Sequence, residues 1–188
     1  IIEDSDSKHV FCNYTLESKI DSIGNNLTDV ILIKTRTIKE LISSTSNKIN
    51  FEQNKTSLYD TAVIIYTSGT TGNPKGVLLT HLNLLSDAMG ISNWFKFNKE
   101  TRCLCILPLF HNNGQITTLL APLYAGGSTV IVKGKISLYA FWDLVNKYKA
   151  TWTSVMASIL SILLSLPNER KDNSLRAILC GGQILTRS

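Results

Sequence analysis

The chain has 188 residues, enough for one sizeable core or for a large part of a bigger domain. Hydrophobic residues make up 44%, as in globular proteins, and the net charge of +5 comes from scattered lysines without a basic stripe of interleaved aromatics, so nucleic acid is not an expected partner. The longest apolar stretches are broken by Pro122, by Gly126-Gly127 or by serines between Ser154 and Ser165, which leaves no bilayer span; no secretory signal pattern is visible at the start.

In chain order, Thr15 is expected to cap a helix over Leu16–Ile23, with Gly24 as its stop. Val30–Lys34 reads as a strand and Thr37–Ile42 as a short helix. Ser43–Ser57 shifts to Ser, Asn, Lys, Gln and Thr and reads as a loop. Thr61–Thr67 and Val77–Leu79 are short apolar strands on either side of a polar loop. Thr80 then caps a helix from about His81 to Trp94, with Leu82, Leu85, Ala88 and Met89 available for its buried face.

Cys103–Leu107 is a strand ended by Pro108, followed by a helix over Gln115–Tyr124 and a strand over Ser128–Val132. Ser137 is expected to cap a helix running to Tyr148, whose Leu138, Phe141, Trp142, Val145 and Tyr148 follow a 3.6-residue period. Thr151–Val155 is a strand, Ser158–Leu166 a helix stopped by Pro167, and Leu175–Cys180 a strand. Short apolar strands alternating with amphipathic helices predict an α/β fold with a largely parallel sheet layered with helices. Ligands of such sheets sit at the carboxyl ends of the strands, which marks Phe110–Gln115 and Gly181–Ile184 as site loops.

The four cysteines are Cys12, Cys103, Cys105 and Cys180. Cys103 and Cys105 alternate, so both are expected on one side of their strand. A structural zinc site needs two more well-spaced ligands and only His111 lies near, so no metal site is assigned within the chain. Buried free thiols suit a reducing, cytoplasmic compartment.

Between the first two apolar strands lies Tyr66-Thr67-Ser68-Gly69-Thr70-Thr71-Gly72-Asn73-Pro74-Lys75-Gly76. Glycines let backbone N–H groups approach an anion, hydroxyls add donors, and lysine adds a point charge. No Asp or Glu occurs between Thr61 and Ser86 to repel a polyphosphate. The nucleoside-triphosphatase pattern fails, because Lys75 is followed by Gly76 and preceded by Pro74. The dinucleotide fingerprint also fails, because Gly69, Gly72 and Gly76 have the wrong spacing.

The loop instead resembles the signature of the adenylate-forming (AMP-binding) superfamily of acyl- and aryl-CoA synthetases, luciferases and peptide-synthetase adenylation domains. Two further segments match in order. Leu107-Pro108-Leu109-Phe110-His111-Asn112-Asn113-Gly114 resembles the family's substrate-gate segment, and Leu175-Arg176-Ala177-Ile178-Leu179-Cys180-Gly181-Gly182 the strand and turn before its adenine-contacting loop. The resemblance covers 60–188, the core of the large N-terminal domain. Residues 1–59 read as the partial αβ unit and polar loop before it.

The resemblance implies an acid–thiol ligase of the kind found in fatty acid metabolism. A carboxylate reacts with MgATP to give an acyl-adenylate and pyrophosphate, and the acyl group passes to CoA. It implies that Thr67, Ser68, Thr70 and Thr71 hold the β- and γ-phosphates, with Lys75 beside them as a catalytic residue. Gly69, Gly72 and Gly76 give the loop its backbone freedom. His111 is the second implied catalytic residue, lying between nucleotide and acyl group, whereas His81 is expected to cap or pack at a helix start. Gly182, Gln183 and Ile184 would lie against adenine, with Gln183-Ile184-Leu185 departing from the commoner Ala-Pro-Leu. Peptide-synthetase domains carry Asp after the matching Phe, so Phe110-His111 favours an acid:CoA ligase.

The family's Tyr-Gly-x-Thr-Glu segment, whose Glu serves magnesium, has no counterpart here, nor have its ribose-binding Asp and adenylation Lys. With Ile1 inside what reads as an αβ unit and Ser188 just past a glycine turn, the expectation is an internal piece of a longer protein, inactive alone, with its magnesium ligand elsewhere. Two alternatives stay open: a non-catalytic nucleotide-binding paralogue, and an adenylation domain loading a carrier protein.

Overall fold

The computed structural model describes residues 1–2, 4–12, 16, 31–34, 55–68, 73–132, 138–166 and 173–182. The expected helices over 16–23 and 37–42, most of the polar loop 43–57, and the Ser137 cap fall outside them.

The chain divides into two compact units, 1–56 with 66–77, and 57–65 with 78–188. In the first, β1 (His9–Cys12) pairs in parallel with β2 (Ile31–Lys34), His9 lying against Ile31 and Cys12 against Lys34. β3 (Thr61–Ser68) and β4 (Pro74–Thr80) form a two-stranded sheet. Only residues 69–73 connect them, too few for a parallel crossover, so this is a hairpin. β4 begins at Pro74, three residues before the expected start at Val77, so Lys75 and Gly76 belong to the strand.

The second unit is built on a four-stranded sheet in the order β6-β5-β7-β8, with every pair parallel. The strands are β5 (Arg102–Cys105), β6 (Ser128–Ile131), β7 (Trp152–Val155) and β8 (Ala177–Cys180). The helices are α1 (His81–Trp94), a π-helix (Asn113–Leu120) running into α2 (Ala121–Tyr124), α3 (Phe141–Tyr148) led by a 3-10 turn over Leu138–Ala140, and α4 (Ala157–Ser165). An α/β fold with a parallel sheet and helices is therefore present. Among the described residues no helix is long and apolar enough to cross a membrane.

α1 starts where Thr80 predicts. The Thr80 hydroxyl accepts the Asn83 N–H at 3.2 Å, and Asn83 Oδ1 accepts the Thr80 N–H at 2.9 Å. The next free donors, on His81 and Leu82, go to the carbonyls of Asp60 and Leu58. Of the residues expected on the buried face, only Ala88 is buried. Leu82, Leu85 and Met89 are exposed, whereas Ala88 and Ser92 are buried and Leu84 and Ile91 pack on Ile116 and Ala121. Leu82, Leu84 and Leu85 crowd the first turns, so the apolar stripe does not choose the rotation; the neighbouring π-helix does.

Both faces of the sheet are covered, as parallel sheets require. On one face Leu104 and Val155 pack with Phe141, Val145, Ala150 and Leu163. Full burial of each large side chain in this cluster contributes about 1.5–3 kcal/mol. On the other face Cys103 and Cys105 are buried, and Trp152 meets Phe95 and Phe97 with ring centroids 5.2 and 5.1 Å away.

Candidate functional site

From β5 the chain moves to β6 on one side. From β7 it moves to β8 on the other. The connections diverge between β5 and β7, and a crevice opens beyond the carboxyl ends of these two strands. An open concavity of about 360 Å³ lies in the second unit, lined by Leu107, Pro108, His111, Asn112, Asn113, Met156, Gly181 and Gly182. The turn after β5, the residue after β7 and the turn after β8 all contribute to it.

The segment after β5 was expected to be a loop through Gln115, but the helix begins at Asn113. Pro108 to Asn112 form the turn, closed by the His111 N–H donating to the Pro108 carbonyl at 3.1 Å. His111 is exposed, and its ring leans on Phe110 with centroids 4.6 Å apart. The turn folds tightly onto the helix because Gly114 has no side chain. A methyl group there would overlap the Pro108 carbonyl oxygen and lie 2.9 Å from that of Leu107.

The helix is wound as π, with the Ala121 N–H donating to the Ile116 carbonyl five residues back, and other carbonyls of the helix also take side-chain donors. The Thr118 hydroxyl donates to the Gly114 carbonyl at 2.8 Å, and Pro122 has no N–H to give. The Thr118 carbonyl receives the Thr129 hydroxyl from β6 at 2.9 Å instead. Beneath the turn, Cys105 Sγ sits 3.5 Å from the Leu107 carbonyl and 3.7 Å from that of Gly114. Burial pushes the Cys105 thiol up. It pushes the Cys103 thiol up to about 12, with the neighbouring Cys105 adding to it. Both are packing groups at neutral pH.

At the opposite wall, Gly181 follows β8 with its N–H donating to the Val155 carbonyl at 3.3 Å. Gly182 takes a φ of 85°, a left-handed conformation that disfavours a side chain. Gln183 and Ile184, expected to follow it against adenine, lie outside the described residues.

The phosphate-loop residues belong to the first unit. Thr67 and Ser68 end β3 and are exposed; Lys75, exposed, and Gly76, half-buried, stand near the start of β4. The Thr67 hydroxyl reaches the Lys75 carbonyl at 3.5 Å, a weak contact. Gly69, Thr70, Thr71 and Gly72 lie outside the described residues. At the base of the loop the Tyr66 hydroxyl donates to Asp4 Oδ2 at 2.5 Å, and this bond raises the phenol's pKa above its ordinary range. Among the described residues no group of three or more His, Cys, Asp or Glu converges on a point, so none of them forms a cage for a divalent cation.

His111, Gly181 and Gly182 thus share one concavity, as the strand-end rule anticipates. Met156, Asn112 and Asn113 line it too, and the same rule applied to the end of β7 would have found Met156. His81 lines a separate groove of about 320 Å³ with Leu84, Leu85 and Leu120.

The sequence profile described as "AMP-binding enzyme" matches residues 1–188. The chain belongs to the AMP-binding enzyme family. Within the family, sulfoacetate–CoA ligase of Cupriavidus necator is 40% identical over 115 residues, 61% of this chain and 22% of that protein. The ATP-bound structure of MatB from Rhodopseudomonas palustris superposes with a TM-score of 0.82 at 25% identity, over 98% of this chain and 37% of that one. The o-succinylbenzoate CoA synthetase (MenE) from Bacillus subtilis, in complex with its acyl-adenylate intermediate OSB-AMP, gives 0.81 at 29% identity, over 97% and 45%. The chain therefore spans less than half the length of these AMP-binding relatives.

Proposed function

We propose that this chain is part of an acid:CoA ligase that activates a carboxylic acid with ATP. The acid's carboxylate attacks the α-phosphate, pyrophosphate leaves, and the resulting acyl-adenylate passes its acyl group to the thiol of CoA. The observation that carries the reading is the family match over all 188 residues, joined to a concavity at the strand ends that holds both His111 and Gly181-Gly182.

A carboxylate oxygen is a poor leaving group, and ATP is strongly anionic. Positioning and electrostatic stabilisation supply most of the catalysis in such a reaction. In this reading Thr67, Ser68, Thr70 and Thr71 donate to the β- and γ-phosphates. Lys75 adds a positive charge beside them, and Gly69, Gly72 and Gly76 let the backbone close around the anion. His111 stands between acid and nucleotide. Gly182, Gln183 and Ile184 pack against adenine, where the left-handed turn at Gly182 leaves one face of the backbone bare.

Magnesium would neutralise part of the triphosphate, and among the described residues no cluster of carboxylates forms a site for it. The family's magnesium-serving Glu has no counterpart within residues 1–188, so the metal ligand is expected elsewhere in the protein and these residues alone are expected to be inactive. A reducing, cytoplasmic setting suits the free thiols of Cys103, Cys105 and Cys180.

The test is product formation by the full-length protein with ATP, magnesium, CoA and a panel of acids from oxalate and sulfoacetate to aryl and long-chain acids. CoA-dependent thioester formation with one class of acid supports the ligase. Adenylate formation that is discharged only onto a carrier protein would replace CoA as acceptor. No acid-dependent pyrophosphate release would leave a non-catalytic nucleotide-binding protein.

A further inference from the structure

We propose that Ser154 is a positioning residue that sets the distance between the two walls of the concavity. The inference rests on the ligase reading above and names a residue that carries none of the family's motifs.

Ser154 is the third residue of β7 and is fully buried. Its side chain points to the same face of the sheet as Trp152, toward the π-helix, and Ser154 lies in register with Leu179 of β8. The Ser154 hydroxyl donates to Asn113 Oδ1 at 2.8 Å and lies 3.3 Å from the Leu179 carbonyl. Asn113 is the first residue of the π-helix, two residues after His111, and itself lines the concavity. Leu179 is two residues before Gly181 on the opposite wall.

One hydroxyl carries one proton and two lone pairs, so it can donate to only one of these two acceptors. Turning the Asn113 amide over satisfies both contacts, with Nδ2 donating to the serine and the serine donating to Leu179. In either arrangement the serine joins the helix that carries one wall to the strand that carries the other. Gly114 already presses the His111 turn against the Pro108 carbonyl, so the turn and the start of the helix move together. Loss of the serine hydroxyl frees that assembly relative to Gly181-Gly182. A shift of about 1 Å in a reacting pair can cost two orders of magnitude in rate.

The neighbouring residue supplies the control. Thr153 is equally buried, and its hydroxyl donates to the Leu104 carbonyl at 2.7 Å on the opposite face of the sheet, away from the concavity. Thr153→Val removes a buried hydrogen bond without touching either wall.

The experiment is acid-dependent ATP–pyrophosphate exchange by the full-length protein, with thermal unfolding followed in parallel. Ser154→Ala is expected to lower kcat/KM for the acid about tenfold or more, and Ser154→Thr to restore it to within about threefold. Thr153→Val is expected to lower Tm as much as Ser154→Ala does while leaving kcat/KM within about twofold. Asn113→Ala removes the same bond from the half-buried side and keeps the test open should Ser154→Ala not fold. The double variant should lose little more than either single one, because the two act as a unit. Wild-type kinetics in Ser154→Ala and Asn113→Ala, an equal kinetic loss in Thr153→Val, or additive losses in the double variant would each overturn the positioning role alone. Absence of acid-dependent exchange in the unaltered protein would overturn the ligase reading and this inference with it.

Discussion

Gly114 lies so close to Pro108 that no side chain fits between its α-carbon and the Pro108 carbonyl oxygen. This contact folds the His111 turn back onto the helix that follows. Gly114→Ala forces the two apart, and overpacking of this kind costs about 1–3 kcal/mol. Urea unfolding of the full-length variant should show that loss at an unchanged m-value. A stability equal to wild type would mean that the turn is not pinned there.

Thr80 and Asn83 cap each other at the start of α1. Thr80→Ala removes the acceptor for the Asn83 N–H, and the expected cost is about 1 kcal/mol. Asn83→Ala should cost a similar amount, and the double variant less than the sum, because both substitutions break one reciprocal pair. Additive losses in a urea-unfolding cycle would contradict the pairing.

The Cys103 thiol is pushed up to about 12 from an ordinary value of 9.0, chiefly by burial. Its folded-state pKa is above its unfolded one, so the unfolded chain gives up this proton first as pH rises. The stability linked to it is complete below about pH 9 and is lost between there and about pH 12. At pH 8 a thiolate-selective reagent should leave Cys103 unmodified in the folded protein and modify it once urea unfolds the chain. Rapid native-state labelling of Cys103, located by peptide mapping, would contradict its burial.

The strands of the second unit were legible as short apolar runs, and β5 and β8 are bounded by residues that break a strand, Pro108 beyond β5 and Gly181 after β8, although β5 ends at Cys105 rather than the expected Leu107. The start of α1 was legible for the same local reason, since Thr80 supplies a cap where the strand ends. Its buried face was not, because consecutive leucines satisfy more than one rotation and tertiary packing on Ile116 decides among them. The π-helix over Asn113–Leu120 reads in the sequence as an ordinary helix starting at Gln115; its carbonyls also accept hydroxyls from Thr118 and from Thr129, the latter arriving from β6. Strand-end logic marked the His111 and Gly181 segments as site loops, and both line the concavity. It could not foretell that Ser154 would tie them, since Ser154 and Asn113 are 41 residues apart and only the sheet register brings them together.

In the proposed ligase, this chain would carry the phosphate-gripping and acid-gating parts of the acid-activating site. Lys75 is the one cation of the phosphate loop, and it stands exposed near the start of β4. The most direct measurement is acid-dependent ATP–pyrophosphate exchange by the full-length protein and its Lys75→Ala variant. Exchange that requires a carboxylic acid, and that slows about ten- to hundredfold in the variant, is the predicted result for loss of one charge-assisted phosphate contact. Exchange independent of any acid, or equally fast without the lysine, would contradict the account.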